Sequence, residues 1–173
     1  MGLFQNFRKA TKERQNIPLP TLTIAAPASG SIVPMEEIPD PAFAEGVLGR
    51  CVGIEPPEDA GEVCLTAPIA GTVTQCSATG HAVGITSADE KTSVLLHAGI
   101  DTVEMQGDGF VLHVKAGDTV TEGQPVLTMD AEKVKKADHP CMVIVIVTET
   151  GTPVRCAVQN LVQAGEILFT AEE

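Results

Sequence analysis

From residue 21 onward the chain is written in short apolar runs set apart by Gly, Pro and Asp. Runs at 22–26, 31–33, 63–66, 71–75, 82–87, 93–98, 110–114, 125–129, 142–147 and 166–170 are rich in Val, Ile, Leu and Thr and are short enough to be strands. So many short strands in one compact domain imply a sandwich or a closed barrel, the usual ways to limit exposed sheet edges. One short helical turn is predicted over Ala131–Lys136. The first residues follow a different pattern. Residues 3–14 place Leu3, Phe4 and Phe7 on one side of an amphipathic helix, and Pro18 and Pro20 end it. The expected organisation is therefore a tail and linker over 1–20 and one domain over 21–173.

The apolar pattern repeats. APASGSIV (26–33) matches APIAGTVT (67–74), and GDTVTEGQPVLT (117–128) loosely matches QNLVQAGEILFT (159–170), at offsets of 41 and 42 residues. Two copies of each element predict two similar half-motifs packed on one another.

Composition narrows the class. Hydrophobic residues make up 43% of the chain, but there is no Trp, no Tyr and only five Phe, so the core must be built from Val, Ile, Leu and Ala. Five scattered cysteines, never spaced as CxxC, argue against a disulfide framework or structural zinc and for reduced, cytosolic thiols. No run reaches the length of a membrane span, and the N-terminus has no apolar signal core. The net charge is −12, yet Arg8, Lys9, Lys12 and Arg14 against Glu13 give residues 1–20 a charge of +3 and leave −15 on the rest. An acidic body repels nucleic acid, so a docking partner is expected to be basic or to bind an apolar patch. The basic tail can touch a membrane surface or remain a solvated tail.

The candidate chemistry lies in TGHAVGITSADEKTSVLLHAGIDTVE (79–104). Two strand-like runs flank a polar turn. If Ser87 pairs with Lys91 around a three-residue loop, His81 lies directly opposite His97, with Cβ atoms roughly 5 Å apart. A bulge would move that register by one residue. Alternation puts Val83 and Ile85 on the face of His81 and Leu95 on that of His97. A lone strand histidine is usually just a partly buried residue. Two facing imidazoles suit either phosphoryl transfer or metal binding. In transfer, one ring nitrogen attacks phosphorus while the other keeps its proton in a fixed hydrogen bond, and the second histidine stabilises charge on the phosphoryl oxygens. Thr79 is placed to orient His81, and Gly99 allows close backbone approach beside His97.

These residues resemble the glucose-type IIA component of the bacterial phosphoenolpyruvate-dependent sugar phosphotransferase system. The resemblance runs from about Thr21 to Thr170. It rests on SVLLHAGIDTVE, APASGSIVPMEEIPDPAFAEGVLG, APIAGTVT, TGHAVGITS and GFVLHVKAGDTVTEGQPVL, in the family's order; MGLFQNF also looks like the start of free-standing members. It implies an antiparallel β-sandwich of duplicated half-motifs with short helical turns, and a cytoplasmic phosphotransferase component of the EC 2.7.1 type that needs no cofactor. By the resemblance, His97 accepts phosphate from the histidine-containing phosphocarrier protein and donates it to a cysteine on the IIB domain of a sugar permease. His81 matches the second active-site histidine and Thr79 the threonine orienting it. Asp101 matches an acidic rim residue, and Phe43, Val47 and Leu48 match part of the apolar docking surface. The tail resembles the segment through which free-standing members meet the inner face of the membrane, here residues 1–15. Members also signal sugar flux through their phosphorylation state. The chain departs from the family pattern at Gly49-Arg50-Cys51, where Gly-Asp-Gly is usual, and at Ser77, Lys91 and Ala98.

Two rivals share parts of the pattern. A biotinyl or lipoyl carrier would explain APIAGTVT and VKAGDTVTEGQPVLTMDAEKVK, with Lys133 near the modified position, but it lacks the flanking Met residues and leaves the histidines unexplained. A zinc peptidase needs about three protein ligands. The chain has no HxH and no HxxxD upstream of the histidine pair, and His113 and His139 stand alone. A regulatory zinc held by His81 and His97 with a carboxylate from a partner is retained as an expectation.

Overall fold

The computed structural model describes residues 22–172. The predicted tail helix and its linker at 1–20 lie outside the described residues. Fourteen strands make up the domain: β1 Thr23–Ala25, β2 Gly30–Val33, β3 Arg50–Glu55, β4 Glu62–Thr66, β5 Gly71–Cys76, β6 Ala82–Ser87, β7 Thr92–Ala98, β8 Phe110–Leu112, β9 Thr119–Val120, β10 Pro125–Asp130, β11 Val143–Thr150, β12 Val154–Cys156, β13 Leu161–Val162 and β14 Ile167–Ala171. Two short helices, α1 (Pro41–Ala44) and α2 (Ala131–Lys136), and two 3-10 turns, Met35–Glu37 and Thr102–Met105, complete it. The strands form an antiparallel sandwich. An eight-stranded sheet, ordered β13-β2-β3-β11-β7-β6-β5-β9, shares one core with two three-stranded sheets, β1-β14-β12 and β4-β10-β8.

The duplication is visible in this topology. The large sheet reads symmetrically about its β11–β7 centre, with β13 matching β9, β2 matching β5 and β3 matching β6, and the two small sheets correspond strand for strand. The backbone bonds come in mated pairs: Ala25 N–H to Pro68 O (2.9 Å) with Thr66 N–H to Pro27 O (3.0 Å), and Gly165 N–H to Ala26 O with Gly123 N–H to Ala67 O (both 2.9 Å). One half, β4–β10, is contiguous; the other is split around it into β1–β3 and β11–β14. CVGIE (51–55) and AVGIT (82–86) are a third repeated element, one that the sequence reading did not pick out.

The two faces of the large sheet differ in what covers them. On β7, Val94, Leu96 and Ala98 point into the main core, while Ser93, Leu95 and His97 point to the outer face. On β11, Val143, Val145 and Val147 join the main core. Ile144 and Ile146 lie opposite, in a second cluster with Ile38, Phe43, Cys51, Ile100 and Met142. Burial on both faces explains why β11 is an unbroken apolar run. The second cluster exists because residues 34–49, between β2 and β3, fold over the outer face as a 3-10 turn and α1. Asp40 caps α1 by accepting the Ala42 N–H (2.8 Å), and Pro41 follows at its first position. In the other half the corresponding excursion, between β5 and β6, is only the turn leading to His81. The halves diverge most over the end of β7, and the histidines lie there.

Candidate active site

His97 stands on the outer face between Ile144 of β11 and Ala82 of β6, its direct cross-strand partners. The Phe43 ring meets it edge-on, with centroids 5.2 Å apart. Its Nδ1 lies 2.8 Å from the Gly99 carbonyl oxygen. A carbonyl only accepts, so Nδ1 carries the proton, and Nε2 is left with a lone pair. This contact needs a tight reversal just after β7, and Gly99 makes it at φ +75°. A Cβ there would sit 2.4 Å from the Thr102 methyl and 3.0 Å from the Pro140 oxygen. Gly99→Ala is therefore expected to cost about 2 kcal/mol of stability, measured by thermal unfolding, and to slow phosphate acceptance because the acceptor of the Nδ1 proton shifts.

His81 approaches from the turn before β6, in the same half as β7, its ring 4.8 Å from that of His97 at an interplanar angle of 76°. The expected register is corrected by one residue: Ala82, not His81, lies opposite His97. The hairpin has a four-residue loop, Ala88–Lys91, because Asp89 accepts from the Ser87 hydroxyl (2.6 Å) and the Lys91 N–H (3.2 Å), and Glu90 takes the left-handed conformation. His81 also does not share the face of Val83 and Ile85. It precedes β6, in a turn where Gly80 has φ +74° and the Ser77 N–H donates to Ala82 O, and this turn brings the ring over the outer face. Thr79, expected to orient His81, belongs to that turn, with Oγ1 2.6 Å from His81 Nδ1. Ser77 was not foreseen as a partner. Its Oγ accepts the Ala82 N–H (3.0 Å) and lies 3.3 Å from the same Nδ1.

Burial pushes the pKa of both histidines below the usual value of 6.5. For His97 the Gly99 bond and the Asp40 and Asp101 charges work against that shift; for His81 the neighbouring His97 adds to it. Both rings are thus neutral at neutral pH, as a nucleophilic imidazole requires. Acceptance is expected to persist as pH falls to 6.5 and to decline only below it. Stability follows the same direction: below 6.5 the unfolded chain binds protons that the folded one refuses, so these histidines favour unfolding increasingly as pH drops to their depressed values. Transfer rates and thermal midpoints measured from pH 7.5 to 5.5 check both trends.

The surroundings divide the remaining candidates. Val47 and Leu48, just after α1, are 69% and 47% exposed, and Asp101 is exposed where the chain leaves Gly99. Phe43, expected on the docking surface, is 6% exposed and supports the His97 ring from the side. Val103, 54% exposed beside Asp101, is an apolar rim residue that the sequence did not single out. The Cys51 departure is accommodated: the side chain is buried, its Sγ contacts Phe43 O at 3.3 Å, and burial pushes the thiol pKa up to about 11. All five cysteines are unpaired. Lys133 lies on α2, its Nζ 2.7 Å from Asp108, and not at an exposed hairpin tip as a carrier lysine would. His113 contacts the Thr128 hydroxyl (2.7 Å), and His139 lies 3.8 Å from Glu104. Among the described residues no three His, Cys, Asp or Glu side chains converge to hold a metal, so His81 and His97 offer two ligands. No helix among them is long and apolar enough to cross a membrane.

The sequence profile of the phosphoenolpyruvate-dependent sugar phosphotransferase system, EIIA 1, matches residues 22–152. A glucose-specific EIIA component of Oceanobacillus iheyensis is 35% identical over 148 residues, which cover 86% of this chain and 84% of that protein. The beta-glucoside-specific EIIBCA component of Bacillus subtilis is 41% identical over 127 residues; these are 73% of this chain but only 20% of that longer protein. The glucose permease IIA of Mycoplasma capricolum superposes with a TM-score of 0.78 at 28% identity, covering 87% of this chain and 95% of that one.

Proposed function

Because this chain belongs to the EIIA 1 family of the phosphoenolpyruvate-dependent sugar phosphotransferase system, we propose that it is the phosphocarrier whose phosphoryl group travels on Nε2 of His97. The biotinyl or lipoyl reading is not favoured. The observation that carries the proposal is the Nδ1–Gly99 bond, which leaves Nε2 unprotonated beside a second imidazole.

In the accepting step, the Nε2 lone pair attacks phosphorus of a phosphohistidine on the histidine-containing phosphocarrier protein. The N–P bond of the donor breaks, and its electron pair returns to the donor imidazole. The dianion now beside His81 favours protonation of that ring, opposing the burial that lowers its pKa. With Thr79 on Nδ1, the Nε2–H of His81 is directed at a phosphoryl oxygen. In the donating step, a cysteine thiolate of the IIB domain attacks phosphorus, and the electron pair of the His97–phosphorus bond returns to Nε2.

Val47, Leu48 and Val103 give both partners an apolar rim, and Asp40 and Asp101 favour a basic one. In this reading the transfer is of the EC 2.7.1 type and needs no cofactor; a zinc ion on His81 and His97 would take a third ligand from a partner and block both steps. The protein works in the cytoplasm beside its permease, with residues 1–15 touching the membrane face. The test is phosphorylation by phosphoenolpyruvate and the two general proteins of the system. One acid-labile, base-stable phosphate per chain is expected; failure to label a folded chain contradicts the proposal.

A further inference from the structure

We propose that Thr102 is a positioning residue for the phosphoryl-accepting nitrogen: it locks the loop whose carbonyl holds the proton on Nδ1 of His97. This rests on the reading of His97 as acceptor.

The loop from Ala98 to Thr102 contains two left-handed residues, Gly99 (φ +75°) and Asp101 (φ +59°), and Asp101 has no side-chain capping bond that would favour this conformation locally. Asp enters that region more readily than most side chains, but with no local capping bond its surroundings must hold it there. Thr102 supplies such a restraint. It is fully buried, with 0% exposure, and its hydroxyl donates to the Ala98 carbonyl at 2.6 Å, closing the loop at its base. Its methyl group fills the space where a Gly99 side chain would lie. The far side of the loop is tied by Gly99 N–H to Met142 O (2.9 Å) and Ile100 N–H to Pro140 O (3.1 Å). The peptide joining Gly99 to Ile100 is thereby held at both polar ends: its N–H faces Pro140, and its oxygen faces Nδ1 of His97.

Ala98 links the clamp to the second histidine as well, since its N–H donates to His81 O (2.8 Å). The hydroxyl makes the closing bond, and the methyl only packs beside Gly99. Serine keeps only the hydroxyl, and valine keeps only the shape. The clamp touches no reacting atom, so its effect must pass through the tautomer of His97.

The experiment combines transfer kinetics with ¹⁵N NMR of the His97 ring in the full chain. Wild type is expected to show one tautomer, protonated on Nδ1. Thr102→Val is expected to give mixed tautomers and accept phosphate about 10- to 100-fold more slowly, with Thr102→Ser restoring both. Wild-type tautomer and rate in a folded Thr102→Val, or a mixed tautomer in Thr102→Ser, overturns the proposal. If the valine variant does not fold, Thr102→Cys, a weaker donor of similar size, is expected to fall between serine and valine; a wild-type rate there is equally contrary. Phosphate found elsewhere than on His97 in the wild type defeats the underlying reading instead, so the two failures are distinguishable.

Discussion

His97→Ala is expected to abolish phosphate acceptance, with a loss of at least about 1000-fold, because no other described side chain combines a lone pair, a fixed tautomer and a neighbouring donor. The stability change separates loss of chemistry from loss of fold. The substitution removes one ring on the outer face and one hydrogen bond to Gly99, a bond worth about 1 kcal/mol. For a chain of this length that lowers the thermal midpoint by about 2–4 °C. An inactive variant that melts close to wild type therefore identifies a chemical role. Labelling with phosphoenolpyruvate beside thermal unfolding makes the comparison. Residual labelling at the wild-type rate would remove His97 from the reaction.

His81→Gln is expected to separate the two transfers. Acceptance should stay within about tenfold of wild type, while donation to the IIB cysteine should fall about 100- to 1000-fold, the usual cost of losing a donor aimed at developing charge. The asymmetry follows from the attacking groups. A phosphohistidine donor presents an imidazole leaving group with no negative charge, whereas the outgoing phosphoryl group is approached by a thiolate. Drawing an anion toward a dianion requires compensation, and a His81 ring protonated beside the phosphate supplies it; a glutamine offers an N–H but cannot take up charge. Rapid-quench measurement of each half-reaction checks this. Equal loss in both directions would show that His81 serves only to build the site.

The parts of the fold that could be read in advance were those whose pattern was local. The edges of β6 follow from its run of Val, Ile and Thr closed by the polar turn after Ser87, and the span of α2 from the Asp130 cap. Central β3 was missed because Gly49 and Gly53 break its short apolar run, and the one signal for it was the likeness of CVGIE to AVGIT in β6. The two-residue strands β9 and β13 carry too few positions for any periodicity. Helix α1 was missed although Asp40-Pro41 is a start signal, because four residues contain barely one turn.

At the site, the residue identities were legible and the geometry only partly so. The two histidines do meet, but through a turn at Gly80 that no strand register describes, while the hairpin that was expected to align them is one residue longer. The burial of Phe43 under α1 is not legible locally, because it depends on Ile144, Ile146 and Cys51, which are distant in sequence. Ser77 and Thr102 act through backbone carbonyls and amides, and such partners leave no pattern in the sequence.

The most direct test is ³¹P–¹⁵N NMR of the phosphorylated chain with ¹⁵N-labelled histidine. A single phosphoramidate on Nε2 of His97 is expected, with a proton still on Nδ1 and the His81 resonances shifted by the neighbouring charge. Phosphate on His81, on Nδ1 of His97 or on any other residue would contradict it.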